Sequence, residues 1–132
     1  MSKKKFTLGS SERLKSRKAL EQLFSEGNSF VVAPYRVIYR FVPSGLQFTA
    51  GVSARNFKKA SDRNRIKRQT REAYRLQKTE LQDLLQQQQK GLHVFFTYTA
   101  REMKEYHLLA TALQKSITKL IALAHETNSP AA

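Results

Sequence analysis

Residues Arg63–Arg75 read RNRIKRQTREAYR: six of these thirteen side chains are Lys or Arg, and only Glu72 opposes them. Ile66, Thr70, Ala73, Gln77, Leu81 and Leu84 recur at helical spacing through and beyond this stretch, with Tyr74 and Leu85 beside them. The stripe predicts one helix that buries that face in a core. Asn64, Arg68, Arg71 and Arg75 then fall on its outer side, Arg65 and Lys67 on its flanks, and Arg63 in its first turn. Solvated helix faces usually mix Glu and Lys four residues apart, which stabilises the helix. Here Arg68, Arg71 and Arg75 follow one another at spacings of three and four, so like charges crowd together. From Arg55 to Arg75 nine cations face two carboxylates, a net of +7, half of the +14 carried by the whole chain. Such a helix needs a core on one side and a polyanion on the other, and the planar fork of Arg suits phosphate oxygens.

The rest of the chain supplies that core. Its 132 residues suit one domain. There is no cysteine, which fits a cytoplasmic protein without disulfides. No apolar run reaches the ~18 residues of a membrane span, and Lys3–Lys5 are not followed by the apolar stretch of a secretory signal. We expect a flexible basic segment over 1–13, a single RNA-binding domain over 14–125 and a flexible tail over 126–132. In SRKALEQLFSEG, Ser16 caps a first helix, Ala19, Leu20, Leu23 and Phe24 form its apolar face, and Gly27 stops it. Pro34 separates a short edge strand near Ser29–Ala33 from a longer one near Arg36–Val42, and the PSG turn leads to a third near Gln47–Ser53. After the loop ARNFKKASD, Ser61 or Asp62 caps the basic helix, which ends in QQQQKG with Gly91 as its C-terminal cap. LHVFFTY is a buried strand, and a last helix runs from about Glu102 to His125 with Leu109, Leu113, Ile117, Leu120 and Ala124 inward. The order α-β-β-β-α-β-α predicts an α+β sandwich: one mostly antiparallel four-stranded sheet packed with helices.

The charge pattern points to nucleic acid. The basic helix follows a strand and a loop, not a second helix and a tight turn, so it is not a helix-turn-helix. RNA bound by its backbone and shape is favoured over DNA. The basic helix's inward stripe, with Thr70, Ala73 and Gln77, is too weak for insertion into a membrane surface. His93, His107 and His125 form no pair, the acids form no two-metal cluster, and no glycine-rich phosphate loop is present. We therefore assign the protein no catalytic residue and no metal site. A ribosomal or other structural RNA-binding protein would need the same backbone chemistry and is the alternative.

KKASDRNRIKRQTREAYR resembles the signature of the bacterial ribonuclease P protein subunit, whose hallmark is an Arg-Asn-Arg helix. GVSARNFKKA is similar to that family's third strand and following loop, and ALEQLFSEGNSF to its first helix; the resemblance covers roughly Leu14 to Leu123. It implies a left-handed crossover in the fold. It also implies a ribonucleoprotein that removes the 5′ leader of precursor tRNA, with catalysis and Mg²⁺ held by the RNA subunit and substrate. Its partners would be that RNA and precursor tRNA. Carried over by position, Arg63, Asn64, Arg65, Lys67, Arg68, Arg71 and Arg75 bind the RNA subunit, and Arg55, Lys58 and Lys59 form an RNA-binding loop. Leu20 and Phe24, with Tyr39 and Val52 on the sheet, line the leader cleft. Leu20 stands where an aromatic residue is often found, Thr49 replaces a common Gly, Ala54 a common Lys, and TYTARE retains only Arg101 of a basic pair. Leu20 and Phe24 suit a core equally well, and Tyr39 also reads as a half-buried strand residue.

Overall fold

A computed structural model describes residues 13–127. Helix α1 (Arg17–Glu26) begins where Ser16 Oγ accepts the Ala19 amide at 3.2 Å. It ends at Gly27, whose N–H reaches Leu23 O at 2.9 Å. A Cβ at Gly27 would lie 2.5 Å from Leu23 O and 2.8 Å from Tyr39 O, so a side chain has no room there. Strands β1 (Asn28–Val32), β2 (Tyr35–Val42) and β3 (Leu46–Val52) follow, with Gly45 at φ +91° in the turn before β3. Helices α2 (Ala60–Gln77) and α3 (Thr79–Gln87) lead to β4 (Gly91–Tyr98), and α4 (Tyr106–Thr127) closes the fold. The sheet order is β1-β2-β4-β3. β2 is antiparallel to both neighbours, whereas β4 lies parallel to β3, so residues 53–90 form the crossover that a parallel pair requires.

The period-2 alternation of the strands sorts their side chains. Leu92, Val94, Phe96 and Tyr98 of β4 are buried on one face together with Tyr35, Val37 and Phe48. Helices α2 and α4 cover that face through Ile66, Ala73, Tyr74, Leu109, Leu113, Ile117 and Leu120. The Phe48 and Tyr74 rings stack 4.0 Å apart. Thr70 Oγ1 donates to Ile66 O at 2.8 Å, so the 2.6 Å bond to Tyr35 is donated by the tyrosine hydroxyl. That buried pair ties the middle of α2 to the start of β2. Burial pushes the Tyr35 hydroxyl's pKa well above its ordinary value, and the Thr70 bond opposes the shift.

Several boundaries depart from the sequence expectation. The single long basic helix is two helices, parted at Lys78, where ψ flattens to −14°. The Gln77 amide donates to both Ala73 O and Ala110 O at 3.1 Å, which fastens the junction to α4. Beyond it Leu81 and Leu85 still reach the core. Ser61 and Asp62 lie inside α2, whose N-cap is Lys59 with no side-chain cap. Gly91 is not the C-cap of the glutamine run. Gln89 takes the left-handed position at φ 56°, with Gln89 N–H bonded to Gln86 O and Lys90 N–H to Leu85 O, both at 3.1 Å. This is a Schellman closure without glycine. Gly91 serves instead where β4 passes the β2–β3 turn: a Cβ there would fall 2.3 Å from the Ser44 carbonyl carbon. Helix α4 starts at Tyr106, not Glu102, because the Tyr98 hydroxyl donates to Glu102 O at 2.9 Å and accepts Lys104 N–H at 3.0 Å. It continues through Thr127, into the stretch expected as tail; the rest of that tail, and the basic segment before Arg13, lie outside the described residues.

Candidate nucleic-acid interface

At the start of α2, Asn64, Arg65 and Arg68 are exposed and Lys67 is half-buried. Arg63 behaves differently. Its Nη1 donates to Phe57 O at 2.7 Å and Lys58 O at 3.0 Å, so its reach past the helix end binds the preceding loop. The loop itself is pinned. Ser53 Oγ accepts the Arg55 amide at 3.1 Å, and Phe57 is buried with its ring 5.9 Å from that of Tyr98. Arg55, Lys58 and Lys59 are consequently held exposed beside the Arg63–Arg68 turn. Phe57 escaped the sequence reading because one aromatic residue in a basic loop carries no periodic signal.

Farther along α2, Arg71 and Arg75 are half-buried, not fully outward. Arg13 joins them: its backbone bridges Phe48 in parallel, Leu14 N–H bonds Phe48 O at 2.9 Å, and Leu14 is buried. Burial, then the neighbouring Arg13 and Arg68 guanidinium groups, lower the pKa of Arg71 below the usual arginine value. Arg75 clamps Glu72 through Nε at 3.1 Å and Nη2 at 2.6 Å, and these hydrogen bonds hold the carboxyl below its ordinary pKa.

The opposite face of the sheet carries α1. Leu23 is buried against it, and Leu20 is half-buried. Phe24 is 56% exposed, with its ring 5.2 Å from that of Phe95. The strand register places Ser29, Ile38, Phe95 and Thr49 in one row of this face, and Val31, Arg36, Thr97 and Gly51 in the next row toward the Arg55–Lys59 loop. Gly51 makes room for the Phe95 ring, which would lie 2.7 Å from a Cβ there. Behind Phe24 come Arg40, His93 and Gln47, with Arg40 bridged to Glu26 at 3.2 Å. Burial, with Arg40 adding to it, depresses the His93 pKa. The resulting groove has an aromatic step at Phe24, a floor of Ile38, Phe95, Thr49 and Thr97, and Arg36 and Arg40 toward its two ends.

Tyr39 and Val52 do not belong to this groove. Tyr39 pairs with Val94 and Val52 with Tyr98, and both pack against the core that α2 and α4 cover. A shift of one residue along a strand changes the face. Ile38 and Gly51 are their counterparts on the α1 side, and Phe95 is the aromatic residue that the sequence reading missed. Thr49 occupies the groove floor as a small polar residue, and Ala54 is exposed at the loop.

His93, His107 and His125 lie apart, on β4 and near the two ends of α4. Among the described residues, no three His, Asp or Glu side chains gather in a way that could hold a metal ion. No described helix is long and apolar enough to cross a membrane.

The family model described as Ribonuclease P matches residues 8–121. A ribonuclease P protein component of Porphyromonas gingivalis ATCC 33277 is 38% identical over 122 residues, covering 87% of each chain. That of strain W83 is 37% identical over 119 residues, with the same coverage. Among solved structures, the RNase P protein of Thermotoga maritima superposes with a TM-score of 0.65 at 21% identity, covering 82% of this chain and 96% of its own. The RNase P protein of Staphylococcus aureus gives 0.52 at 18% identity, covering 87% and 96%. At those identities the two structures speak for the fold.

Proposed function

The chain belongs to the ribonuclease P protein family, and from that membership we propose that its two exposed faces divide the handling of RNA. As a ribonuclease P protein component it is a subunit of an endoribonuclease that acts in tRNA 5′ processing. The face built from Asn64, Arg65, Lys67 and Arg68, continued by Arg71 and Arg75, grips the backbone of the catalytic RNA subunit. Arg63 contributes by bracing the loop that presents Arg55, Lys58 and Lys59. The groove between Phe24 and the sheet, floored by Phe95, Ile38 and Thr97, takes the single-stranded 5′ leader of precursor tRNA. An aromatic step with nearby cations is a usual platform for unpaired bases. Phosphodiester cleavage and its Mg²⁺ ions belong, in this reading, to the RNA subunit and substrate, in the cytoplasm.

The single observation that carries the reading is the cluster of exposed cations Arg55, Lys58, Lys59, Arg65 and Arg68 on one loop-helix corner, pinned by Phe57 and by Arg63. The test is reconstitution with a ribonuclease P RNA subunit and a precursor tRNA at low Mg²⁺. The protein is expected to restore cleavage there and to show none alone. Arg65→Ala is expected to weaken binding of the RNA subunit by about 1–3 kcal/mol and to flatten the logarithmic salt slope by roughly 0.7–0.9. Unchanged affinity and slope would place Arg65 outside the interface, and full cleavage without added protein at low Mg²⁺ would remove the assisting role.

A further inference from the structure

We propose that the free edge of β1, with the pocket at its end, is a docking site for an extended acidic peptide of a partner protein. β1 stands at the end of the sheet order, so among the described residues one of its two edges meets no strand. Its sequence, NSFVV, carries no charge and no proline. Edge strands are usually guarded by such residues, because an unpaired row of N–H and C=O groups invites another chain to pair with it. Asn28, Ser29 and Val31 are exposed there. A cavity of about 420 Å³ opens where the strand ends, walled by Val32, Pro34, Leu108 and Ala112, with Lys104 and Lys115 among its lining. Pockets of that size hold whole ligand groups, and an apolar wall with a few placed charges is their usual make-up.

The charge around this edge has one sign. Leu108, Thr111, Ala112, Lys115 and Lys119 recur at helical spacing and share one stripe of α4. Lys119 Nζ lies 5.5 Å from the centre of the Phe30 ring, which sets the stripe alongside β1. Lys104 meets Glu102 at 3.5 Å, whereas Lys115 has no carboxylate within ion-pair distance among the described residues. Glu126, near the far end, is the only carboxylate side chain of α4. An open edge offers main-chain hydrogen bonds to an extended chain, and a neighbouring pocket receives its alternate side chains. The lysine row adds a preference for acidic side chains. A second copy of this chain fits poorly, because two lysine rows would meet on molecules of +14 each. Phe30 and Val32 pack on the side of the sheet away from Phe24, and no residue of α2 lines the pocket. The peptide site therefore goes beyond the two RNA-handling faces and does not overlap them.

The full chain is titrated with a short end-blocked peptide that alternates Val and Glu, following backbone amide signals by NMR. Saturable shifts confined to β1 and the Lys104–Lys115 rim are expected. Lys115→Glu and Leu108→Asp change exposed side chains, and each should weaken binding by about tenfold, a charge reversed at the rim or placed in the apolar wall. A peptide alternating Val and Lys should not bind, nor should the Val-Glu peptide methylated at alternate backbone nitrogens. Failure to saturate, indifference to both variants, or equal binding by either control peptide would overturn the proposal. Shifts of the same amides that grow with protein concentration alone would make a second copy the occupant and overturn it. A short RNA oligonucleotide that shifts those amides and loses the effect in Lys115→Glu would make RNA the occupant, with the same consequence. In the reconstituted holoenzyme, Lys115→Glu should leave cleavage of precursor tRNA at low Mg²⁺ unchanged; a loss there would assign Lys115 to RNA handling instead.

Discussion

Phe24 is decided by its surroundings. Its spacing from Leu20 suits a core or a cleft, and the fold leaves it 56% exposed with one aromatic neighbour. Phe24→Ala is therefore expected to cost less than about 1.5 kcal/mol of stability, the scale of one aromatic pair. It should weaken binding of precursor tRNA to the holoenzyme while sparing mature tRNA and assembly; equal losses for both tRNAs in a folded variant would remove Phe24 from the leader groove. His93, in the same face, supports a pH prediction. Its folded pKa is depressed by burial and by Arg40 below the 6.5 of an unperturbed imidazole. The unfolded chain then takes up a proton first as pH falls, so stability declines from about pH 6.5 down to the folded pKa and levels off below it. Thermal melts across pH 5 to 7 should show that decline, and His93→Gln should flatten it. Tyr39 and Val52 mark where residue-level reading failed. The family resemblance implied a place for them in the leader cleft, but one residue of register decides which face each occupies.

At the scale of elements, the local signals that worked were those in which a side chain meets its own backbone or a periodic face meets a core. Ser16 and Gly27 bound α1 as expected, and the inward residues of α4 are buried. The misread ends depend on partners distant in sequence. Tyr98 unwinds the expected first turn of α4, and Ala110 secures the α2–α3 junction. The Gln89 turn yields a direct test. A non-glycine residue in the left-handed region is disfavoured by about 1 kcal/mol, so Gln89→Gly is expected to raise Tm by a few degrees with RNA binding unchanged. A lower Tm would mean that the added freedom of the unfolded chain outweighs the relieved strain. The Tyr35–Thr70 hydrogen bond fastens α2 to the sheet. Tyr35→Phe should cost about 0.5–1.5 kcal/mol in a denaturant melt, with an unaltered slope.

For the whole molecule the excess charge of +14 is the governing quantity, since only a few carboxylates oppose it in ion pairs among the described residues. Raising NaCl from about 10 mM to about 150 mM shortens the screening length from roughly 30 Å to roughly 8 Å. Tm of the free protein is expected to rise over that range; a fall would show that attractive pairs, not repulsion, dominate its surface. The sequence by itself determined the α+β class, the presence of a helix with one apolar and one cationic face, and the need for a polyanion. Those properties follow from periodicity and charge, which are local. Only the tertiary structure decided that β4 enters between β2 and β3, that Phe95 instead of Tyr39 floors the α1 groove, and that Arg13 meets Arg71. Each of those outcomes depends on strand register and on a parallel crossover, which bring together residues that no spacing along the chain relates.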